Sequence, residues 1–304
     1  MFTNELFYHK VFDLKKLKQI SVVGLGLLGG SITLGVSRCF SGVKTVGYSH
    51  RPSTREKARK LSVADLVTDD LCECVEKADI VILATPILTF EQMFKSIKKA
   101  LPDGCIVTDV GSTKSLAHSW AKKQLPKNVF YVGSHPIAGS EQRGVEFARD
   151  DLFDKALCIL TSQKNTNPQA VKTLAQFWTR LGCCIEKMTP AQHDRVFAMV
   201  SHVPHILAAS LINTNTSKDL KFSGKGFMDT SRIASGPENI WSDILLTNPA
   251  NTAKGIEKLI NELNKIKNAI LADDKTKLEK LLKDARQKRT EMLKYKMTRK
   301  ELIS

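Results

Sequence analysis

The stretch QISVVGLGLLGGS, Gln19 to Ser31, runs from an apolar, β-branched segment into closely spaced glycines and then into the helical pattern GSITLGVSRCF. Gly24, Gly26 and Gly29 stand at the spacing Gly-x-Gly-x-x-Gly. Between a strand and a helix each glycine meets a separate need. The first makes the tight turn, the second lets a pyrophosphate approach the backbone, and the third brings helix close to strand. The helix N-terminus, with Leu27 and Leu28, then faces the phosphates. Alone, this spacing often marks only a tight turn. At the first strand-to-helix junction of an α/β chain it predicts a dinucleotide site.

The segments further along the chain supply that context. Apolar runs rich in β-branched residues recur through the first 160 residues or so: QISVVGLG, TVGYS, DIVILATP, CIVTDVG, VFYVGSH and ALCILT. Such runs, alternating with amphipathic segments, predict a parallel sheet covered on both faces, an α/β Rossmann-type N-terminal domain. After GCCIEKMTP the pattern changes to long stretches of helical period, such as AQHDRVFAMVSHVPHILAASLI. The expectation is a Rossmann domain over 1–188 and an all-α C-terminal domain over 189–304.

The 304 residues, 42% of them hydrophobic, leave room for two domains. The N-terminal MFTNELFYHKVFDLKKLKQ lacks the apolar core of a signal peptide, and no segment reads as a membrane span, so a cytoplasmic protein without a membrane partner is expected. Seven cysteines lack metal-finger or redox spacing and read as free thiols in a reducing compartment. The formal net charge of +15 would attract nucleic acid and acidic metabolites alike. From Lys254 onward, however, Lys and Arg are interleaved with Glu and Asp at helical spacing, which predicts solvated helix faces and no nucleic-acid partner.

The second strand leads into SHRPSTREKAR, where an acid that holds the 2′-hydroxyl of NAD would stand at about position 49. Ser49 occupies it, followed by His50 and Arg51. With no carboxylate to repel a 2′-phosphate, and with Arg51 and Arg55 able to pair with one, NADP is favoured over NAD. LATP, with Thr85 and Pro86, and TDVGSTK each close a strand and are expected to border the nicotinamide.

VGSHPIAGSEQRG, Val132 to Gly144, sets His135 between two small-residue turns. By itself it is a base or only a loop histidine. Together with GLGLLGGS, DVGSTK, SHVPH and FMDTSRIASGPENIWSDI it resembles, in order and nearly in spacing, the prephenate and arogenate dehydrogenases of tyrosine biosynthesis, over about residues 18–290. That resemblance implies oxidation of a ring carbinol with hydride transfer to NAD(P) and loss of carbon dioxide. A neutral imidazole suits removal of the carbinol proton. The resemblance makes His135 this base and Ser112 the serine that hydrogen-bonds it and the substrate hydroxyl. Arg232 becomes the guanidinium for the ring carboxylate, a task its planar fork fits. The resemblance further implies that Asp229 and Trp241 shape the pocket and that Glu141 lies near the cleft entrance. Ser201 and His205 would line the pocket from the helical domain, with His193 a lesser candidate, and that domain would form a symmetric homodimer.

His202 and His205 share a helical turn, but with no acid at ligand spacing and no H-E-x-x-H pattern no metal is expected. Neither a regulatory domain nor a fused mutase is expected. Two alternatives stand beside this reading. One is a dehydrogenase of the β-hydroxyacid or 6-phosphogluconate type, which uses a lysine base; Lys187 lies near the boundary but is not followed by the expected glycine-rich helix or an Asn-x-x pair. The other is a basic nucleic-acid-binding protein that retains a dinucleotide fold.

Overall fold

A computed structural model of the chain describes residues 14–138 and 142–298. All five residues of β1 (Gln19–Val23) are buried, as expected of the central strand of a sheet covered on both faces. With β2 (Lys44–Tyr48), β3 (Leu66–Thr68), β4 (Ile80–Leu83), β5 (Ile106–Asp109) and β6 (Phe130–Tyr131) it forms a parallel sheet of order β3-β2-β1-β4-β5-β6. The order reverses between β1 and β4. Ligands of open α/β sheets bind at the carboxyl ends of strands at such a switch point, which is where Gly24 lies.

The helices around this sheet are α1 (Leu27–Cys39), α2 (Pro52–Lys60), α3 (Leu71–Val75), α4 (Phe90–Ile97), α5 (Ser115–Gln124) and α6 (Pro168–Arg180). Strand alternation divides the core in two. Ile80 and Ile82 of β4 pack with Val22, Ile32, Phe177 and Trp178, whereas Val81 and Leu83 pack with Phe90, Phe94 and Ile97. Each such side chain contributes about 1.5–3 kcal/mol on burial.

The run VFYVGSH, expected as one strand of the parallel sheet, divides at Val132. β6 ends the first sheet, and β7 (Gly133–Ile137) opens a second one, antiparallel to β8 (Leu157–Thr161), which pairs in parallel with β9 (Cys184–Met188). Glycine is required at the bend because a Cβ on Gly133 would lie 2.5 Å from Thr161 Oγ1. His135 therefore sits on a strand rather than in a loop, paired with Ile159.

One compact unit runs up to Asp194 and regains Gly236–Thr247; the other comprises Arg195–Ser235 and the chain from Asn248. The helices continue as α7 (Pro190–Phe197), a π-helical turn (Ala198–His202), α8 (Val203–Asn213), α9 (Lys225–Ser231), α10 (Glu238–Thr247), α11 (Pro249–Leu271) and α12 (Lys275–Thr298). α10 belongs to the first unit, where Thr247 and Thr113 share a hydrogen bond of 2.8 Å. Trp241 therefore comes with the sheet, although the sequence reading sets it in the helical domain.

One expectation needs correction. The helical run Pro190–Asn213, with a mean hydropathy of 1.5, is long and apolar enough to cross a membrane by length and composition. A core or interface helix has the same composition, and this one carries the buried carboxylate of Asp194. All seven cysteines are free thiols.

Candidate functional site

The glycine turn has the form that its sequence requires. Gly24 lies at φ +108°, a region L side chains rarely adopt, and a Cβ there would lie 2.7 Å from the carbonyl oxygen of Ala84. At Gly29 a Cβ would come within 1.9 Å of the Gly24 carbonyl oxygen, so α1 rests directly on the turn. At Gly26, which precedes Leu27 and Leu28 at the start of α1, a Cβ would meet nothing within 4 Å. The backbone is open where a pyrophosphate would lie, facing the amide end of a 13-residue helix. The residues fit a dinucleotide.

At the end of β2, Ser49 is buried and its hydroxyl accepts the Arg51 backbone N–H at 3.3 Å. His50 and Arg51 are exposed. Arg55, paired in the sequence reading with Arg51, is turned to another task. It donates to the carbonyls of Ser49 and His50 at 2.9 and 3.1 Å and pairs with Asp69 at 2.7 Å, bracing the loop. Thr85 shares a hydrogen bond of 2.7 Å with Thr89, and the exposed Pro86 accepts from Thr89 through its carbonyl.

His135 is held from two directions. Its neighbour Ser134 is locked under the strand by Trp178 Nε1 at 2.9 Å and Thr108 Oγ1 at 2.7 Å, which fixes β7 against the main sheet. On the other side His135 Nδ1 lies 2.8 Å from His193 Nε2, and His193 Nδ1 lies 2.9 Å from Asp194 Oδ1. Asp194 also accepts the backbone N–H groups of Lys114 and Ser115, each at 2.8 Å, at the start of α5. Burial holds the His193 imidazole below its ordinary pKa, against the pull of Asp194. Burial would raise Asp194, but the His193 ring and the two amides hold it below the usual carboxylate range.

Ser112 lies in the same β5–α5 turn, half-buried. Among the described residues the bond on His135 Nδ1 goes to His193, not to Ser112. The DVGSTK motif supplies more than its serine, however. Lys114 and Asp109 form a fully buried ion pair, and the Tyr131 hydroxyl donates to the same carboxylate.

In the second unit, His205 is buried on α8 and hydrogen-bonds the backbone of Ile233, in the turn that begins with Arg232. Burial holds its pKa below the ordinary value. Asp229 and Arg232 are exposed one helical turn apart, and Ser201 is half-buried in the π-helical turn, a distortion frequent at functional sites. His202 is buried and lies 3.4 Å from Thr252 Oγ1, tying the π-helical turn to α11. In the first unit Trp241 is half-buried on α10. Glu141 lies outside the described residues.

Asp194, Asp109 and Lys114 stand at the site without being singled out by the sequence, and His193 is only a lesser candidate there. Their signal in the sequence is His-Asp as adjacent residues within one helical run, and an Asp and a Lys at the two ends of DVGSTK.

Residues 35–187 match the family model described as prephenate dehydrogenase, nucleotide-binding domain, and residues 189–284 match that described as prephenate dehydrogenase, dimerization domain. The glycine turn precedes the matched residues, so its reading rests on the geometry above. The chain is 35% identical over 277 residues to a prephenate dehydrogenase of Bacillus subtilis, covering 88% of this chain and 74% of the relative. It is 31% identical to a cyclohexadienyl dehydrogenase of Zymomonas mobilis, covering 84% and 90%. The crystal structure of the Aquifex aeolicus prephenate dehydrogenase in complex with hydroxyphenyl propionate and NAD+ superposes with a TM-score of 0.86 at 34% identity, covering 91% of this chain and 98% of that one.

Proposed function

From the premise that this chain belongs to the prephenate dehydrogenase family, we infer that it oxidises prephenate or arogenate, with decarboxylation and hydride transfer to a nicotinamide cofactor, in tyrosine biosynthesis. The observation that carries the site assignment is His135, an imidazole whose Nδ1 is engaged by His193 at 2.8 Å and whose ring is thereby oriented. A nicotinamide cofactor held at the turn of Gly24, Gly26 and Gly29 would supply the acceptor for the hydride of the ring carbinol carbon. His135 takes the proton of the carbinol hydroxyl as the carbon–oxygen bond gains double-bond character. The ring carboxylate then leaves as carbon dioxide. Its bonding pair enters the ring, and the proton held by His135 returns to the oxygen as a phenol. No proton is consumed overall.

Ser112 is assigned to the substrate hydroxyl, and Arg232 to the ring carboxylate, held by two parallel hydrogen bonds without being overstabilised. Ser201, His205, Asp229, Trp241 and Glu141 are assigned to the walls of the substrate pocket. The phosphates belong at Gly24, Gly26 and Gly29 with the amides of Leu27 and Leu28, and Thr85 and Pro86 border the nicotinamide. For the cofactor we favour NADP, because Ser49 offers no carboxylate and Arg51 is exposed beside it. NAD is the alternative.

A homodimer through the helical unit is supported by apolar surface that the protomer leaves uncovered. Val200 is 64% exposed, and a groove of about 410 Å³ is lined by Met199, Val203, Pro204, Leu207, Ile233 and Leu259. Seven free thiols support a cytoplasmic setting.

The test is formation of reduced nicotinamide when the protein is mixed with prephenate or arogenate, each with NADP or NAD. Turnover in any mixture supports the reaction, and the relative rates settle substrate and cofactor. His135→Asn is expected to lose turnover by a factor of about 10²–10⁴ while substrate affinity is largely kept. Unchanged turnover in that variant would remove His135 from the role of base.

A further inference from the structure

The hydrogen bonds behind His135 end on a carboxylate whose every direction is fixed. Asp194 Oδ1 takes the N–H of Lys114 and faces His193 Nδ1, while Oδ2 takes the N–H of Ser115. With both oxygens tied to the start of α5, the carboxylate has no rotation left. His193 and Asp194 are themselves buried, with side-chain exposures of 0% and 2%. We propose that His193 and Asp194 are positioning residues that fix the protonation pattern of His135, leaving its Nε2 as the basic nitrogen.

A carboxylate that already accepts two amide hydrogens can only accept from His193, so His193 carries its hydrogen on Nδ1. A neutral His193 then has a bare Nε2. The short contact of 2.8 Å between that nitrogen and His135 Nδ1 needs one hydrogen, and His135 must supply it. A neutral His135 with hydrogen on Nδ1 has its lone pair on Nε2. The pattern is therefore transmitted through two rings from one anchored carboxylate. When Nε2 takes the substrate proton, the resulting imidazolium donates to His193, which in turn donates to Asp194, so the new charge is stabilised by an acid that never contacts the substrate. A serine hydroxyl, which can donate or accept, would leave both patterns open. The arrangement also explains why two adjacent residues in the middle of α7 are buried although both are polar.

The inference rests on the reading of His135 as base, and the experiment separates the two. Protein labelled with ¹⁵N-histidine reports for each ring which nitrogen carries hydrogen, with the His135 signals identified by their loss in His135→Asn. In the parent, His135 is expected to carry hydrogen on Nδ1 and none on Nε2. Asp194→Ala removes the acceptor that holds the hydrogen of His193 on Nδ1, so both His135 forms, including one with hydrogen on Nε2, are expected. Turnover should then fall by a factor of about 10²–10⁴ with KM changed by less than about 3-fold. His193→Leu, which cuts the chain, should lose turnover and give a mixture of both His135 forms. Hydrogen on Nε2 in the parent would overturn the proposal even if Asp194→Ala failed to fold. An unaltered ring pattern with full turnover in a folded Asp194→Ala would do the same. If the parent turns over neither prephenate nor arogenate, the functional reading fails while the ¹⁵N pattern still decides the relay.

Discussion

Lys114 and Asp109 meet in an ion pair whose two side chains are completely buried. The pair is tolerable because the carboxylate is otherwise satisfied: Oδ1 also accepts the Gly111 N–H at 2.7 Å, and Oδ2 accepts the Tyr131 hydroxyl. Removing one partner leaves an uncompensated charge and costs about 3–5 kcal/mol. Lys114→Met should lose stability of that order in urea denaturation, and Lys114→Met combined with Asp109→Leu should recover part of it. A single variant within about 1 kcal/mol of the parent would mean that water reaches the pair.

The parallel sheet was legible because its strands are continuous apolar runs, and the nucleotide turn because three glycines at one spacing have few other uses. β3 and β9 were not. Leu66–Thr68 is too short to show a pattern, and CIEKM at Cys184–Met188 is half polar. The division of VFYVGSH at Val132 depends on the approach of Thr161 to Gly133, a contact between residues 28 positions apart that no local pattern encodes. His193 and Asp194 were missed for the same reason. Their meaning lies in the approach of α7 to the β5–α5 turn, about 80 residues earlier in the chain.

His118 makes stability depend on pH. Burial, aided by the Lys114 ammonium, pushes its pKa down to about 4, and its Nε2 lies 3.0 Å from Thr161 Oγ1. The unfolded chain takes up this proton near the ordinary value of about 6.5, before the folded one does. The stabilisation is therefore complete above about 6.5 and is lost as pH falls towards 4, a change of about 3 kcal/mol. His193, also depressed by burial, acts in the same direction, whereas the contribution of Asp194 is lost only at lower pH, as its own depressed pKa is crossed. Melting temperatures measured across this window should fall in the parent and fall less in His118→Leu. Parallel curves for the two proteins would show that His118 is protonated in the fold.

Arg51 and Arg55 are close in sequence but should behave differently. Arg55 is held by two carbonyls and Asp69, so Arg55→Ala should disturb the loop and weaken NADP and NAD alike. Arg51 is exposed and available to a 2′-phosphate. Arg51→Ala should raise KM for NADP about tenfold, the worth of one charge-assisted hydrogen bond, and leave NAD unchanged. Equal effects of Arg51→Ala on both cofactors would remove it from 2′-phosphate recognition.

Gly26 and Gly29 separate binding from folding within one turn. A methyl group on Gly29 would meet the Gly24 carbonyl oxygen at 1.9 Å, and backbone cannot move aside as a flexible side chain can. Gly29→Ala should therefore be strongly destabilised as well as unable to bind cofactor. A methyl on Gly26 meets nothing of the protein, and the residue already has φ −98°, which alanine adopts freely. Gly26→Ala should stay within about 1 kcal/mol of the parent, the cost of alanine at a helix N-cap. Its methyl group instead projects where the pyrophosphate needs bare backbone, so nicotinamide-cofactor binding measured by calorimetry should drop sharply. Full binding by a stable Gly26→Ala would place the pyrophosphate elsewhere than at this turn.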